Sequence, residues 1–152
     1  MNAFKYIVSA LGALALVYLG TCFSAISALA YVDPASAVIA FGIPTLLLKA
    51  GWSFRSMGAA FRNALSDSAG VPELEDARLF FGTAFRYLMA TGPMAFLLGL
   101  IAILGNLADK ARIGPNLAVA LISMFYAILA GLIVCLPLEA AARRRLGAIR
   151  EQ

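Results

Sequence analysis

Charged residues divide the chain into four long apolar stretches. The first lies between Lys5 and Asp33, and the second runs from Pro34 to about Trp52. The third lies between Arg86 and Asp109, and the fourth between Arg112 and Glu139. A helix that crosses a bilayer needs about 20 mainly apolar residues. The first, third and fourth stretches reach that length. The second does so with Lys49 near its end, whose apolar stem can lie in the membrane while the ammonium reaches the interface. The pattern predicts a single membrane domain with spans over about 6–30, 35–52, 87–108 and 115–138, a connector over 53–86 and a tail over 139–152.

Within the connector, Phe54, Met57, Phe61 and Leu65 recur at helical spacing, and Arg55 and Arg62 fall off that stripe. This predicts a short amphipathic helix on the membrane surface. Ser66 to Pro72 reads as a turn. Glu73, Glu75 and Asp76 follow at the start of a further helix, where acidic side chains suit the positive end of the helix dipole. That helix can run through Phe80, Phe81 and Phe85 into the third span.

The basic residues set an orientation. Of the 12 Lys and Arg, only Lys110 and Arg112 lie on the side of the two short loops, Tyr31 to Pro34 and about Ala108 to Gly114. Lys5, Lys49, Arg55, Arg62, Arg78, Arg86, the run Arg143 to Arg145, and Arg150 fall on the other side. Lys and Arg accumulate on the cytoplasmic side of membrane proteins. Short connections favour antiparallel neighbours. The expectation is an all-α integral membrane protein of four helices, built of antiparallel hairpins (span one with two, span three with four), with both termini cytoplasmic. Met1 to Ala30, ending in Ala28-Leu29-Ala30, imitates a signal peptide. Its apolar run is longer than a signal core and is read here as the first span. Tyr31, Trp52 and Tyr87 fit interfacial belts, and Arg86 an interfacial anchor.

Composition agrees with a membrane protein. Hydrophobic residues make up 62% of the 152 and charged residues 13%; the mean hydropathy is +0.90. Soluble domains sit near half apolar and a quarter charged. The net charge of +4 is spread around apolar runs and forms no basic stripe, so nucleic acid is not an expected partner. There is no histidine, which excludes His-based triads and disfavours the usual zinc sites. No glycine-rich phosphate loop or deep carboxylate pair is present, so neither an enzyme nor a cofactor is expected. Cys22 and Cys135 lie inside apolar runs and are expected as buried free thiols. None of the acidic residues falls in the middle of an expected span. A proton relay through hydrocarbon needs an ionisable group there, so any such group must come from a partner.

Some candidate features lie in the last two spans. Pro93 and Pro137 interrupt helices and are candidate kinks. Ala127 and Gly131 form a small-xxx-small pair, and Ala120 lies on the same helix; such residues favour close helix packing in lipid.

The block Asn106-Leu107-Ala108-Asp109, then Ile113-Gly114-Pro115-Asn116-Leu117-Ala118-Val119-Ala120-Leu121, Tyr126 and Leu136-Pro137-Leu138 resembles the third and fourth spans of the MotA/TolQ/ExbB proton-channel family. Within that family it is closest to the flagellar stator branch. Tyr31-Val32-Asp33-Pro34-Ala35-Ser36, with Gly42 beyond, resembles the start of that branch's second span. The resemblance covers about two thirds of the chain. It implies a homo-oligomeric ring, five subunits by resemblance, around a single-span partner that carries a protonatable aspartate, in the bacterial inner membrane. It also implies an ion path lined by hydroxyls. The family's threonine pair on the fourth span falls on Ser123 and Met124, so one hydroxyl is kept and one replaced. The usual third-span threonine falls near Phe96 or Leu100, with Thr91 the nearest hydroxyl. Candidate ion-path or kink residues are therefore Thr91, Pro93, Ser123, Tyr126 and Pro137. The large cytoplasmic domain of flagellar stator subunits has no counterpart in the short connector. Two functions follow: a subunit of a proton-driven channel or motor, or a non-conducting membrane scaffold that keeps the fold.

Overall fold

The apolar stretches fold as helices in a computed structural model that describes residues 3–23, 28–66 and 68–151. Residues 24–27 of the expected first span and Asp67 of the expected turn lie outside the described residues. Helix α1 is Ala3–Cys22, α2 Pro34–Lys49, α3 Phe54–Leu65, α4 Val71–Leu104, α5 Lys110–Ala130 and α6 Leu136–Arg150. A short 3-10 turn, Ala28–Tyr31, precedes α2, and a π turn, Gly131–Cys135, joins α5 to α6. The helices long and apolar enough to span a membrane are Phe4–Cys22, Leu29–Lys49, Val71–Leu104 and Lys110–Arg150. The protein is thus an all-α, multi-span membrane protein.

Local chemistry sets the helix starts. The Asp33 carboxylate accepts the Ser36 N–H at 2.6 Å, and Pro34 occupies the first helical position of α2, where its missing N–H is not needed. The Ser53 hydroxyl accepts the Ser56 N–H at 3.1 Å at the head of α3. At the head of α4 the Glu73 carboxylate accepts the Gly70 N–H at 2.9 Å. The acidic cluster expected at a helix start therefore includes a residue that caps one.

Helix α4 has 34 residues, about 51 Å at 1.5 Å per residue. The rod made by α5, the π turn and α6 covers 41 residues, about 60 Å by the same rise. A hydrocarbon core is about 30 Å thick. The two rods run antiparallel, because Gly99 lies against Ala120 and Gly92 against Ala127. Their excess lengths emerge at the same end, that of Val71 and Arg150.

The densest packing lies at this end. Ala60 and Ala64 of α3, Leu74, Ala77, Phe80 and Phe81 of α4, and Leu138, Ala142 and Leu146 of α6 are buried together. Phe61 meets Phe81 edge-on at 4.9 Å between ring centroids, Phe80 meets Phe81 at 5.0 Å, and Trp52 meets Phe80 at 5.7 Å. The Trp52 indole also donates to Asp76 at 2.9 Å. Arg145 donates to the carbonyls of Ser66 and Leu65, the latter at 3.2 Å, and so closes the end of α3. The segment read as a connector is a packed layer of helices. Its amphipathic helix buries Ala60 and Ala64, while Phe54 at the head of the expected stripe is 63% exposed.

Helix α1 lies at the periphery. Its exposed side chains include Phe4, Val8, Leu11, Leu16 and Tyr18. It meets the rest of the chain at the π turn, where the Tyr6 hydroxyl donates to the Ile133 carbonyl at 3.1 Å. Cys22 was expected to be buried; it is exposed, whereas Cys135 is buried, and both are free thiols. The difference follows from the outer position of α1, whose apolar side chains face away from the other helices.

Candidate functional site

The interface between α4 and α5 is built from small residues. Gly92, Ala95 and Gly99 on α4 and Ala120, Ser123 and Ala127 on α5 repeat at the same three-then-four spacing, so each set lines one helix face. A Cβ at Gly99 would fall 2.5 Å from the Ala120 Cβ, and one at Gly92 would fall 2.8 Å from the Ala127 Cβ. Only glycine fits at either place. Close backbone approach of this kind is how helices associate in lipid, where no hydrophobic drive separates helix from solvent. Gly131 continues the interface, with Phe85 and Met89 side-chain atoms 3.0 Å from where its Cβ would stand. Ala120, Ala127 and Gly131, singled out as packing residues, thus face α4 of the same chain.

The buried polar side chains among the described residues are Ser36, Thr91 and Ser123, at 1%, 4% and 3% exposure. Ser123 donates to the Val119 carbonyl at 3.2 Å, one turn earlier on its own helix. Ser36 of α2 donates to that same carbonyl at 3.0 Å. Thr91 donates to the Tyr87 carbonyl at 2.9 Å, with the Leu88 carbonyl at 3.3 Å. Among the described residues no buried side-chain polar atom lacks a partner. A carbonyl has two lone pairs, so Val119 can serve its helix and a hydroxyl together. The pairing of Ser36 with Val119 was not legible in the sequence, since residue spacing says nothing about which helices meet.

Tyr126 has a different surrounding from Ser123. Its hydroxyl donates to the Tyr31 carbonyl at 2.5 Å and accepts the Asp33 N–H at 2.9 Å. Its ring stacks on Phe41 at 6.0 Å between centroids. Helix α5 thereby holds the turn that leads into α2. Asp33, which the sequence places at a membrane surface, is tied to α5 through this bond from its N–H to Tyr126. Its carboxylate is engaged as the α2 cap.

The prolines also separate. Pro93 lies on the exposed side of α4, which continues unbroken through it. Pro137 follows the π turn and faces α1 across a cleft lined by Tyr6, Ala10, Ala13, Leu132 and Ile133. Proline has no N–H for a carbonyl on the preceding turn, and π turns in helices often mark functional positions. The Tyr6 hydroxyl supplies a donor to one carbonyl on that turn. A half-buried acid that sequence reasoning left without a role, Glu139, lies just beyond, with its carboxylate 3.4 Å from where a Gly82 Cβ would be. Gly82 leaves room for it.

The site brings Ser123, Ala120, Ala127 and Gly131 to one interface, leaves Thr91 buried and bonded to its own helix, and sets Tyr126, Pro93 and Pro137 on other faces. The α4–α5 interface, among the described residues, holds the Ser123 hydroxyl and small apolar side chains and no carboxylate. Among the described residues no three His, Cys, Asp or Glu side chains gather to hold a metal ion.

A multi-span bundle of long rods with a glycine-sealed interface defines an integral membrane protein. Residues 44–152 match the MotA/TolQ/ExbB proton channel family. The chain belongs to this family, which is one of channels and not of enzymes. The match covers α3 to α6 and the end of α2; the resemblance carried by Tyr31 to Gly42 lies outside it. No curated protein matches the chain.

Proposed function

We propose that this protein is a subunit of a proton-driven channel or motor complex in the bacterial inner membrane. Five copies would ring a single-span partner whose aspartate carries the proton, with both termini of each copy in the cytoplasm and the spans paired as antiparallel hairpins. The observation that carries this reading is the family match over 44–152, which takes in both long rods and their shared interface. Among the described residues, the α4–α5 part of that interface carries no carboxylate, which agrees with a proton carrier supplied by another chain. The short segment between α2 and α4 makes this a compact, stator-like subunit without a large cytoplasmic domain.

In this reading Ser123 and Thr91 supply hydroxyls to the ion path, and Pro93, Tyr126 and Pro137 shape the helices beside it. The reading requires Ser123 to release the Val119 carbonyl and turn toward the partner helix as protons pass. One observation favours the second reading, a non-conducting scaffold. Ser123 is buried inside its own subunit and satisfied by its own helix, which a purely structural serine would also show.

Proton flux in vesicles that hold the protein with a single-span, aspartate-bearing partner separates the two. Conduction that falls to background in Ser123→Ala, with the assembled mass unchanged, supports the channel. No flux from the unaltered complex supports the scaffold. Reporters fused after Asp109 and at the C-terminus test the orientation, and a C-terminus outside the cytoplasm would refute it.

A further inference from the structure

An apolar cavity of about 220 Å³ opens between α2, α3 and α4 at the end of the molecule where Lys49 lies. Phe80, Phe81, Ala84 and Leu88 form its floor, and Phe41, Thr45 and Phe61 stand at its exposed rim. Its lining is apolar except for Thr45 and Cys135, so it offers water few partners. The mouth opens beside the exposed side chains of α2 and α3, Phe41, Thr45 and Phe61. Past the rim the cavity opens onto the exposed face of α2, where Phe41, Thr45, Val38 and Ala37 form a shallow apolar surface. From Leu48 to Ala37 the combined path follows about 16 Å of helix. Half of a hydrocarbon core is about 15 Å, so the path has the length of one leaflet.

Charge marks the surface end. Lys49 closes α2 with its ammonium 5.2 Å from the centre of the Phe54 ring. Arg55 follows Phe54, exposed, at the start of α3. Among the described residues neither Lys49 nor Arg55 has a carboxylate partner. Two cations thus stand at the Lys49 end of an apolar path about one leaflet long, made of the cavity and the adjoining face of α2.

We propose that this cavity and the α2 face beside it hold one acyl chain of an anionic phospholipid, with its headgroup on Lys49 and Arg55. The lipid packs α2 against α3 and α4 where protein side chains leave space. The proposal rests on the basic end lying at a membrane surface and is independent of ion conduction.

The single tryptophan allows a direct test. Trp52 packs on Phe80, a cavity-floor residue, at 5.7 Å between centroids. The assembled protein is placed in phosphatidylcholine nanodiscs with rising fractions of phosphatidylglycerol brominated near the top of its acyl chains, and Trp52 fluorescence is read. Saturating quenching is expected at about one brominated lipid per chain, with roughly tenfold lower efficacy for brominated phosphatidylcholine, since each basic side chain near an anionic headgroup contributes severalfold. Ala84→Leu fills the floor and Thr45→Leu narrows the mouth; each should abolish the saturable component while the helical signal and elution stay unchanged. Because Thr45 is exposed, its variant stays informative if Ala84→Leu fails to fold. The double variant Lys49→Gln/Arg55→Gln should equalise the two lipids. Quenching that rises only in proportion to bulk bromine, or survives both cavity variants, overturns the proposal. So does absence of quenching in the assembled protein, which would mean that a neighbouring subunit fills the space.

Discussion

Replacing Gly99 with alanine adds one methyl at the tightest point of the α4–α5 interface. That methyl would lie 2.5 Å from the Ala120 Cβ and 3.2 Å from its Cα. Carbon atoms in good contact keep about 3.5–4.0 Å, so the helices must part locally by about 1 Å. A gap of that size forfeits a quarter to a half of each affected dispersion contact, and overpacking of this kind costs about 1–3 kcal/mol. Alanine in place of glycine recovers about 1 kcal/mol of helix propensity. The net expectation is a loss of up to about 2 kcal/mol. Gly58 is the control, because nothing lies within 4 Å of its would-be Cβ; Gly58→Ala should be neutral or stabilise by up to about 1 kcal/mol. Ala120→Gly alone weakens the interface by removing a methyl. Combined with Gly99→Ala it moves that methyl from one helix to the other, and the two effects should couple by more than about 1 kcal/mol. Unfolding by SDS in mild detergent, at one fixed protein concentration and followed by helical signal and Trp52 fluorescence, measures all four proteins. A Gly99→Ala protein as stable as Gly58→Ala, or additive effects in the double variant, would refute the packing argument.

Further outcomes follow from the polar contacts. Tyr6→Phe removes the hydroxyl on the Ile133 carbonyl and should loosen α1 by about 0.6 kcal/mol, a usual figure for hydrogen bonds between membrane helices; faster amide exchange confined to the first helix and the π turn is the readout, and global change would count against it. Tyr126→Phe removes the hydroxyl that bonds the Tyr31 carbonyl and the Asp33 N–H, and should make a cysteine placed at Val32 more reactive to a water-soluble thiol reagent. Arg145→Ala uncaps the end of α3 and should expose the segment after Leu65 to protease, at a cost of about 1.5–3 kcal/mol for a charged hydrogen-bond donor. Glu75→Gln breaks an exposed ion pair with Arg150 and should change stability by no more than about 1 kcal/mol; a larger loss would show that the far ends of α4 and α6 are more tightly coupled than their exposure implies.

The apolar stretches, their lengths and the charges between them were enough to read an all-α membrane protein with four spanning helices, and the Gly114 to Pro137 block was enough to point to the family. These features are local in sequence, since a spanning helix satisfies its own backbone. The amphipathic helix and the acidic start of α4 were legible for the same reason. Pairing between helices was not. That Ser36 and Ser123 share the Val119 carbonyl, that Tyr126 holds the turn before α2, and that Ala120 and Ala127 are used against Gly99 and Gly92 within one chain depend on register, and every apolar helix offers many registers of similar polarity. The peripheral position of α1 escaped the pattern too, because an apolar side chain has the same composition whether it faces lipid or a neighbouring helix. The tertiary structure decided these points through close packing, which distinguishes a glycine from an alanine by a single methyl while hydropathy treats them nearly alike.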